Sequence, residues 1–271
     1  MYTLVFKAAL AVYFISTIGY AASLIVKRVF VAKLSTWILA FAFAIHAVSL
    51  LMRYFETGHS PVLEVYDTLS FFAWVITGSY LILQFSTKTR VLGAFVSPVV
   101  FVIMVIASVG AGGHIAVSPV LEGSLVAVHV FLSVTGEALF VIASAAGAMY
   151  LLQDGFLKKR RTRGYSTMLP SLRDMDRINH VCLLWGFPIL TLGVLAGSMW
   201  ARTVWGSHWQ WDPKQIWALL AWIFYAVLLH QRLAIGWKGR KAALYSVVAF
   251  VVLLVSLVIL KGFFPSAHSF V

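Results

Sequence analysis

Apolar residues in this chain come in long, nearly unbroken runs, with no strict alternation of strand type and no narrow helical stripe. Eight such segments can be marked: Leu4 to Val26, Leu34 to Met52, Tyr66 to Phe85, Val91 to Val109, Leu125 to Leu152, Ile178 to Met199, Gln215 to Leu233 and Ala242 to Leu260. A helix of about twenty residues crosses a hydrocarbon core of roughly 30 Å, so each run predicts one membrane span. The expected fold is all-α, a polytopic helical membrane protein of eight transmembrane helices in a single membrane domain covering residues 1 to 271.

Composition agrees. Of 271 residues, 61% are hydrophobic and 11% charged, and mean hydropathy is +0.92; soluble domains carry about 25% charged residues. The first apolar run is followed, not preceded, by its basic pair Lys27 and Arg28, unlike a cleaved signal peptide. The one cysteine, Cys182, excludes an internal disulfide, a CxxC thiol reductant and a CxxCH site for covalent haem.

A net charge of +12 would suggest nucleic acid in a soluble protein, but here it sets topology. Counting loops alternately puts 16 Lys and Arg on one side, including the run Lys158 to Arg163, and 5 on the other: Lys7, Arg53, Arg202, Lys214 and Lys261. By the positive-inside rule both termini lie outside the cytoplasm, and no nucleic-acid partner needs to be invoked. The outer loops are then Tyr54 to Val65, Gly110 to Ser124, Trp200 to Lys214 and the tail from Gly262. Gly110 to Gly113 is a turn and no phosphate loop, because no strand precedes it and no Lys-Ser/Thr follows.

The most unusual outer segment is Trp205-Gly206-Ser207-His208-Trp209-Gln210-Trp211-Asp212-Pro213-Lys214. With Trp200 and Trp217 it places five tryptophans in or beside one short loop. Asp212 and Pro213 read as N-cap and first position of the seventh helix, fixing an aromatic platform at the membrane surface. Indole faces suit a large flat apolar ligand; a porphyrin and a quinone ring both meet that description.

The stretch from Gly186-Phe187-Pro188 through Gly197-Ser198-Met199-Trp200 to Trp205-Gly206-Ser207-His208-Trp209-Gln210-Trp211-Asp212-Pro213-Lys214 resembles the tryptophan-rich WWD signature of haem-handling proteins. The chain is most similar to the CcsA (ResC) family of System II cytochrome c biogenesis, most specifically over residues 176 to 232. The resemblance implies that Trp205, Gly206, Trp209, Trp211, Asp212 and Pro213 line a haem b platform on the outer face. It further implies that His129, in Val128-His129-Val130, and His268, in Ala267-His268-Ser269, are the axial ligands of that outer site. Both fall on the outer side by the charge count. Neutral imidazole nitrogens suit haem iron, and two complete its coordination. His208 is expected to line the pocket, and His59 and His114 to be solvated.

Histidines within spans form a second group, and intramembrane ionisable residues default to function. His230, in Leu228-Leu229-His230-Gln231-Arg232, matches the transmembrane histidine that the family uses for an inner haem site, with His46 as candidate for the opposite ligand; a CcsB-like partner can supply that ligand instead. At about 1.5 Å per residue, His46 lies on the order of 18 Å from the cytoplasmic end of its helix and His230 within about 6 Å of its own. His180 is read as structural. Glu137, about 80° around its helix from His129, is read as accepting a hydrogen bond or held protonated.

The function implied is haem transport across a bacterial cytoplasmic (inner) membrane and presentation for attachment to apocytochrome c. No acid-base residue is catalytic; the chain would form part of a holocytochrome c synthase with a CcsB-like membrane protein, served indirectly by thiol-reducing proteins. The alternatives are CcmC-like haem delivery, disfavoured by helix count, and a HemX-like regulator of haem synthesis, which would not need the WWD loop and both outer histidines. A plain transporter or quinone subunit lacks the expected chains of intramembrane carboxylates.

Overall fold

Each apolar run becomes a helix because a backbone in hydrocarbon has to satisfy its hydrogen bonds internally. The computed structural model describes residues 1–26, 28–58, 60, 64–87, 89–112, 123–159 and 169–263, with side chains up to 254. Its helices are α1 (Tyr2–Val26), α2 (Val29–Thr57), α3 (Val65–Thr87), α4 (Gly93–Ser108), α5 (Ser124–Lys158), α6 (Leu172–Trp205), α7 (Pro213–Leu233) and α8 (Arg240–Phe263), with a 3-10 turn, Arg90–Leu92, leading into α4. Among the described residues there is no strand, and seven helices, α1 to α7, are long and apolar enough to cross a membrane. The chain is a polytopic helical membrane protein. Large apolar side chains such as Phe41, Leu51, Ile82, Leu192 and Leu195 are exposed, as lipid-facing surfaces require.

The predicted runs underestimate several helices, among them α2, α5 and α6. Helix α5 continues to Lys158, where Lys158 Nζ pairs with Asp154 one turn back at 2.8 Å. Helix α6 continues to Trp205, so the outer loop expected from Trp200 shrinks to residues 206–212. It ends there because Gly206 takes a left-handed φ of +72° and its N–H caps the Arg202 carbonyl at 3.0 Å, a conformation that costs glycine little.

The helices gather into two compact units, one formed by Met1–Ile115 with Gln153–Ser171, the other by Ala116–Leu152 with Leu172–Val271. In the first unit, α1 to α4 bury Tyr13, Tyr20, Tyr80, Leu39, Ile76 and Met104 almost completely. Several buried polar groups there are paired, as a low dielectric favours. Tyr20 Oη meets Thr36 Oγ1 at 3.0 Å and Tyr80 Oη at 3.2 Å, and the Tyr80 hydroxyl donates to Gln84. Near the other end of these helices, Arg53 is 2% exposed; its Nε donates to Asp67 at 3.0 Å and its Nη2 to Glu64 at 3.1 Å.

In the second unit, α5 and α6 approach closely through glycine. A Cβ on Gly136 would lie 2.8 Å from the Leu190 backbone nitrogen, and one on Gly193 would lie 2.5 Å from Ser133 Oγ. Phe140 of α5 stacks on Tyr225 of α7 with ring centroids 3.6 Å apart. One end of the unit is clamped by Arg232 of α7. Its Nη1 donates to Asn179 Oδ1 at 2.9 Å, its Nη2 to Asp176 Oδ1 at 3.0 Å and its Nε to His180 Nδ1 at 3.3 Å. The same Asp176 oxygen accepts from Gly239 N at 3.0 Å and Asn179 Nδ2 donates to Ala143 O at 2.7 Å, so all four helices of the unit meet in one polar node. His180 is thus a structural acceptor, as expected from its position.

Candidate functional site

The site begins with a gap in α6. Gly193 and Gly197 are one turn apart and face α5, and the space a side chain would fill at Gly197 is taken by the His129 ring: a Cβ there would lie 2.6 Å from Nδ1. Nδ1 lies 2.7 Å from the Gly193 carbonyl oxygen. A carbonyl only accepts, so Nδ1 carries the proton and Nε2 keeps its lone pair. Ser133 Oγ, one turn along α5, lies 3.5 Å from the same nitrogen. The half-buried ring is therefore oriented, its tautomer is fixed, and its remaining nitrogen keeps a lone pair that could serve a metal, in the manner of histidines held by a second-shell carbonyl.

The residue after Gly197 anchors the tryptophan loop. His208 folds back on α6, with Nδ1 donating to the Ser198 carbonyl at 3.1 Å and Nε2 accepting from Arg202 Nη1 at 3.4 Å. Both nitrogens are used, which fits a pocket-lining role. His129 and the loop thus meet the same turn of α6, at Gly197 and Ser198.

The loop is fixed at its other end by the expected cap. Asp212 is extended (φ −67°, ψ 140°) and its Oδ1 accepts from Lys214 N at 2.9 Å, with Pro213 in the first position of α7. Gln210 N donates to Gln215 Oε1 at 2.8 Å, a second tie from loop to helix. Between these, Trp209 and Trp211 pack edge to face with centroids 5.6 Å apart, and Trp200 and Trp205 do so at 5.2 Å. Trp211 is 76% exposed and held at φ +53°, a backbone region that a bulky residue enters only where the surroundings impose it. The indole Nε1 of Trp209 is shielded from solvent and has no hydrogen-bond partner among the described residues. Replacing Asp212 with alanine is expected to lower stability by about 1 kcal/mol through loss of the cap, read as a lower melting temperature, and to increase protease cutting between 206 and 212.

His230 lies near the end of α7, exposed, with no hydrogen bond to its ring among the described residues; its carbonyl accepts from Ala234 N at 2.8 Å. The structure brings His129, His230 and Trp205 to Pro213 into one unit. His46 belongs to the other unit and is fully buried. Its Nδ1 lies 3.3 Å from Tyr13 Oη, its Nε2 lies 2.8 Å from Ser70 Oγ, and the rings of Phe6 and Tyr13 stand edge-on to it. To ligate iron it would have to surrender one of these bonds. His268, His59 and His114 lie outside the described residues. Glu137 makes no carboxyl hydrogen bond among the described residues, and the buried Tyr225 hydroxyl has no partner among them.

The sequence model of the family described as Cytochrome C assembly protein matches residues 62–263. This range contains His129, the whole tryptophan loop and His230. The chain belongs to the CcsA family of cytochrome c assembly proteins. The cytochrome c biogenesis protein CcsA of Parasynechococcus marenigrum (strain WH8102) is 32% identical over 236 residues, covering 76% of each chain. The protein of the same name from Guillardia theta is 29% identical over 260 residues, covering 88% of this chain and 86% of its own. That from Chlamydomonas reinhardtii is 33% identical over 211 residues, 75% of this chain and 58% of its own. As a CcsA-family protein with many spans, the chain is a membrane component of cytochrome c maturation.

Sequence reasoning had not found the seat of His129 on Gly193 and Gly197, nor the Arg232 node. The glycines at 186, 193 and 197 were the available signal, since small residues at helical spacing mark close helix contact in membranes.

Proposed function

We propose that this protein carries haem b from a site within the membrane to the tryptophan loop and presents it there, on the extracytoplasmic face of a bacterial inner membrane, for attachment to apocytochrome c. The observation that carries the reading is the His129 to Gly193 hydrogen bond. It leaves one imidazole nitrogen able to bind iron, in a notch emptied by Gly197, one residue from the anchor of the loop.

The loop chemistry suits the same cargo. Indoles of Trp205, Trp209 and Trp211 offer apolar faces for a porphyrin, and the unpaired Trp209 N–H is a donor that a haem propionate would satisfy. His268 is proposed as the opposing ligand. His230, exposed and unbonded, is proposed for the inner site, with its second ligand from a CcsB-like partner, because both nitrogens of His46 are engaged.

The chain's own contribution is positional. Two imidazoles hold the iron and set its electron density, while the loop leaves a porphyrin edge open to the approaching CxxCH segment. Each cysteine thiol then adds across a haem vinyl group, sulfur to one carbon and hydrogen to the other, which requires the thiols reduced and needs no base from this protein.

The direct test is co-expression with a CcsB-like partner and a reporter apocytochrome c in cells lacking their own maturation system. Covalent haem on the reporter is the expected result; reporter that stays unmodified although all three proteins accumulate would refute the reading. Trp209→Phe keeps the ring and removes the donor, and is expected to reduce haem retained on the purified protein by about tenfold, from the roughly 1–3 kcal/mol of one buried hydrogen bond.

A further inference from the structure

A groove of about 580 Å³ runs between α7 and α8, away from the tryptophan loop's residues. It extends from Trp217 to Gln231 along α7, about 21 Å at the helical rise. Leu220, Ile223, Phe224 and Val227 line one wall, and Ala249, Val252 and Leu253 the other. These are apolar along the whole length. Trp217 closes one end, and the other carries Gln231, Trp237 and Tyr245. The side-chain amide of Gln231 makes no hydrogen bond among the described residues. Trp237 and Tyr245 pack with centroids 4.9 Å apart, and Lys241 Nζ stands 5.9 Å over the Trp237 ring.

The turn that closes this end, residues 234–241, contains Lys238, Arg240 and Lys241 and no carboxylate. Lys238 and Lys241 are exposed and neither makes an ion pair among the described residues. Asp176 is engaged by Arg232 and the Gly239 N–H. A long apolar trough that terminates in an amide, an aromatic pair and the exposed lysines Lys238 and Lys241 has the polarity profile of a phospholipid: chain, glycerol ester, phosphate. Basic pockets between helices on the positive side of a membrane take anionic headgroups.

Other occupants fit less well. No histidine, cysteine or methionine lines the groove, so it offers haem iron no axial ligand.

We propose that the α7–α8 groove is a binding site for one anionic phospholipid of the basic-side leaflet, its acyl chain along Phe224 and Val227 and its phosphate at Lys238 and Lys241. None of the residues assigned above to haem lines this groove, although Gln231 directly follows His230 on α7.

Purified protein in mild detergent is analysed for bound lipid by native mass spectrometry, against Lys238→Gln/Lys241→Gln, the groove-filling Ala221→Phe, and Arg28→Gln/Lys33→Gln as a charge-matched control on exposed residues of the other unit. Wild type and control are expected to retain about one anionic phospholipid each. The Lys238/Lys241 variant should retain it about thirtyfold less tightly, from roughly fivefold per basic residue, and Ala221→Phe should lose it. The melting temperature of wild type should rise on adding phosphatidylglycerol and not phosphatidylcholine, a readout that needs no variant to fold. Equal retention by the Lys238/Lys241 variant and the control, or an equal response to both lipids, would overturn the proposal. Recovery of haem or a quinone that Ala221→Phe displaces would overturn it in favour of that ligand.

Discussion

Cytochrome c maturation by the His129→Ala variant is expected to fall at least about a hundredfold, with the protein still accumulating in the membrane. Loss of an axial donor exceeds the 10–100-fold that second-shell changes cost. The ring is only half-buried and its removal leaves a notch beside Gly193 and Gly197, so the change should act on haem far more than on folding. Imidazole added to the growth medium is expected to enter that notch and restore part of the yield, a rescue that a merely structural histidine would not show. Gly197→Ala tests the same seat from the opposite side. Its methyl would lie 2.6 Å from Nδ1, so the ring has to swing off the Gly193 carbonyl, at about 1–3 kcal/mol for the overpacking. The variant should lose maturation in proportion to this displacement, and imidazole should not restore it, because the notch is filled.

The second large effect concerns stability. Arg232→Ala leaves Asp176, Asn179 and His180 without their donor, with the Asp176 charge held only by the Gly239 N–H. Removing one partner of a buried pair typically costs about 3–5 kcal/mol, which at about 2–4 °C per kcal/mol lowers the melting temperature by roughly ten degrees. Arg232→Lys should recover little, since a single ammonium cannot reach three acceptors set out for a planar fork. The double variant Asp176→Leu/Arg232→Leu should be more stable than Arg232→Ala, because neither charge is then left unpaired. Thermal melting of the detergent-solubilised protein decides all three, and equal melting of Arg232→Ala and wild type would show that the node carries no load.

Much of this architecture was legible in the sequence. Helices α1 to α7 follow from hydropathy because length and apolarity suffice to place a span, and the start of α7 follows from Asp212-Pro213 because an N-cap is a local device. The end of α6 was misplaced by six residues: Arg202 and Thr203 look like loop, while the actual stop is Gly206, whose left-handed turn no hydropathy scale registers. The tryptophan loop could be recognised by its density of indoles, but the strained Trp211 and the orphaned Trp209 N–H belong to tertiary structure. Partners distant in sequence were not legible at all. Arg232 meets Asp176 across 56 positions and His129 meets Gly193 across 64, and composition carries no record of such pairings. His46 shows the same limit. The contacts of its two nitrogens with Tyr13 and Ser70, from two other helices, leave no mark in its own segment of sequence.

Haem binding at the outer histidines is the central claim, and the reduced visible spectrum of the purified protein tests it most directly. Wild type expressed with a CcsB-like partner is expected to show six-coordinate b-type haem, with His129→Ala and His268→Ala each depleting it or shifting it to five-coordinate. Wild-type protein without haem, or both variants with spectra identical to wild type, would contradict the assignment of this site.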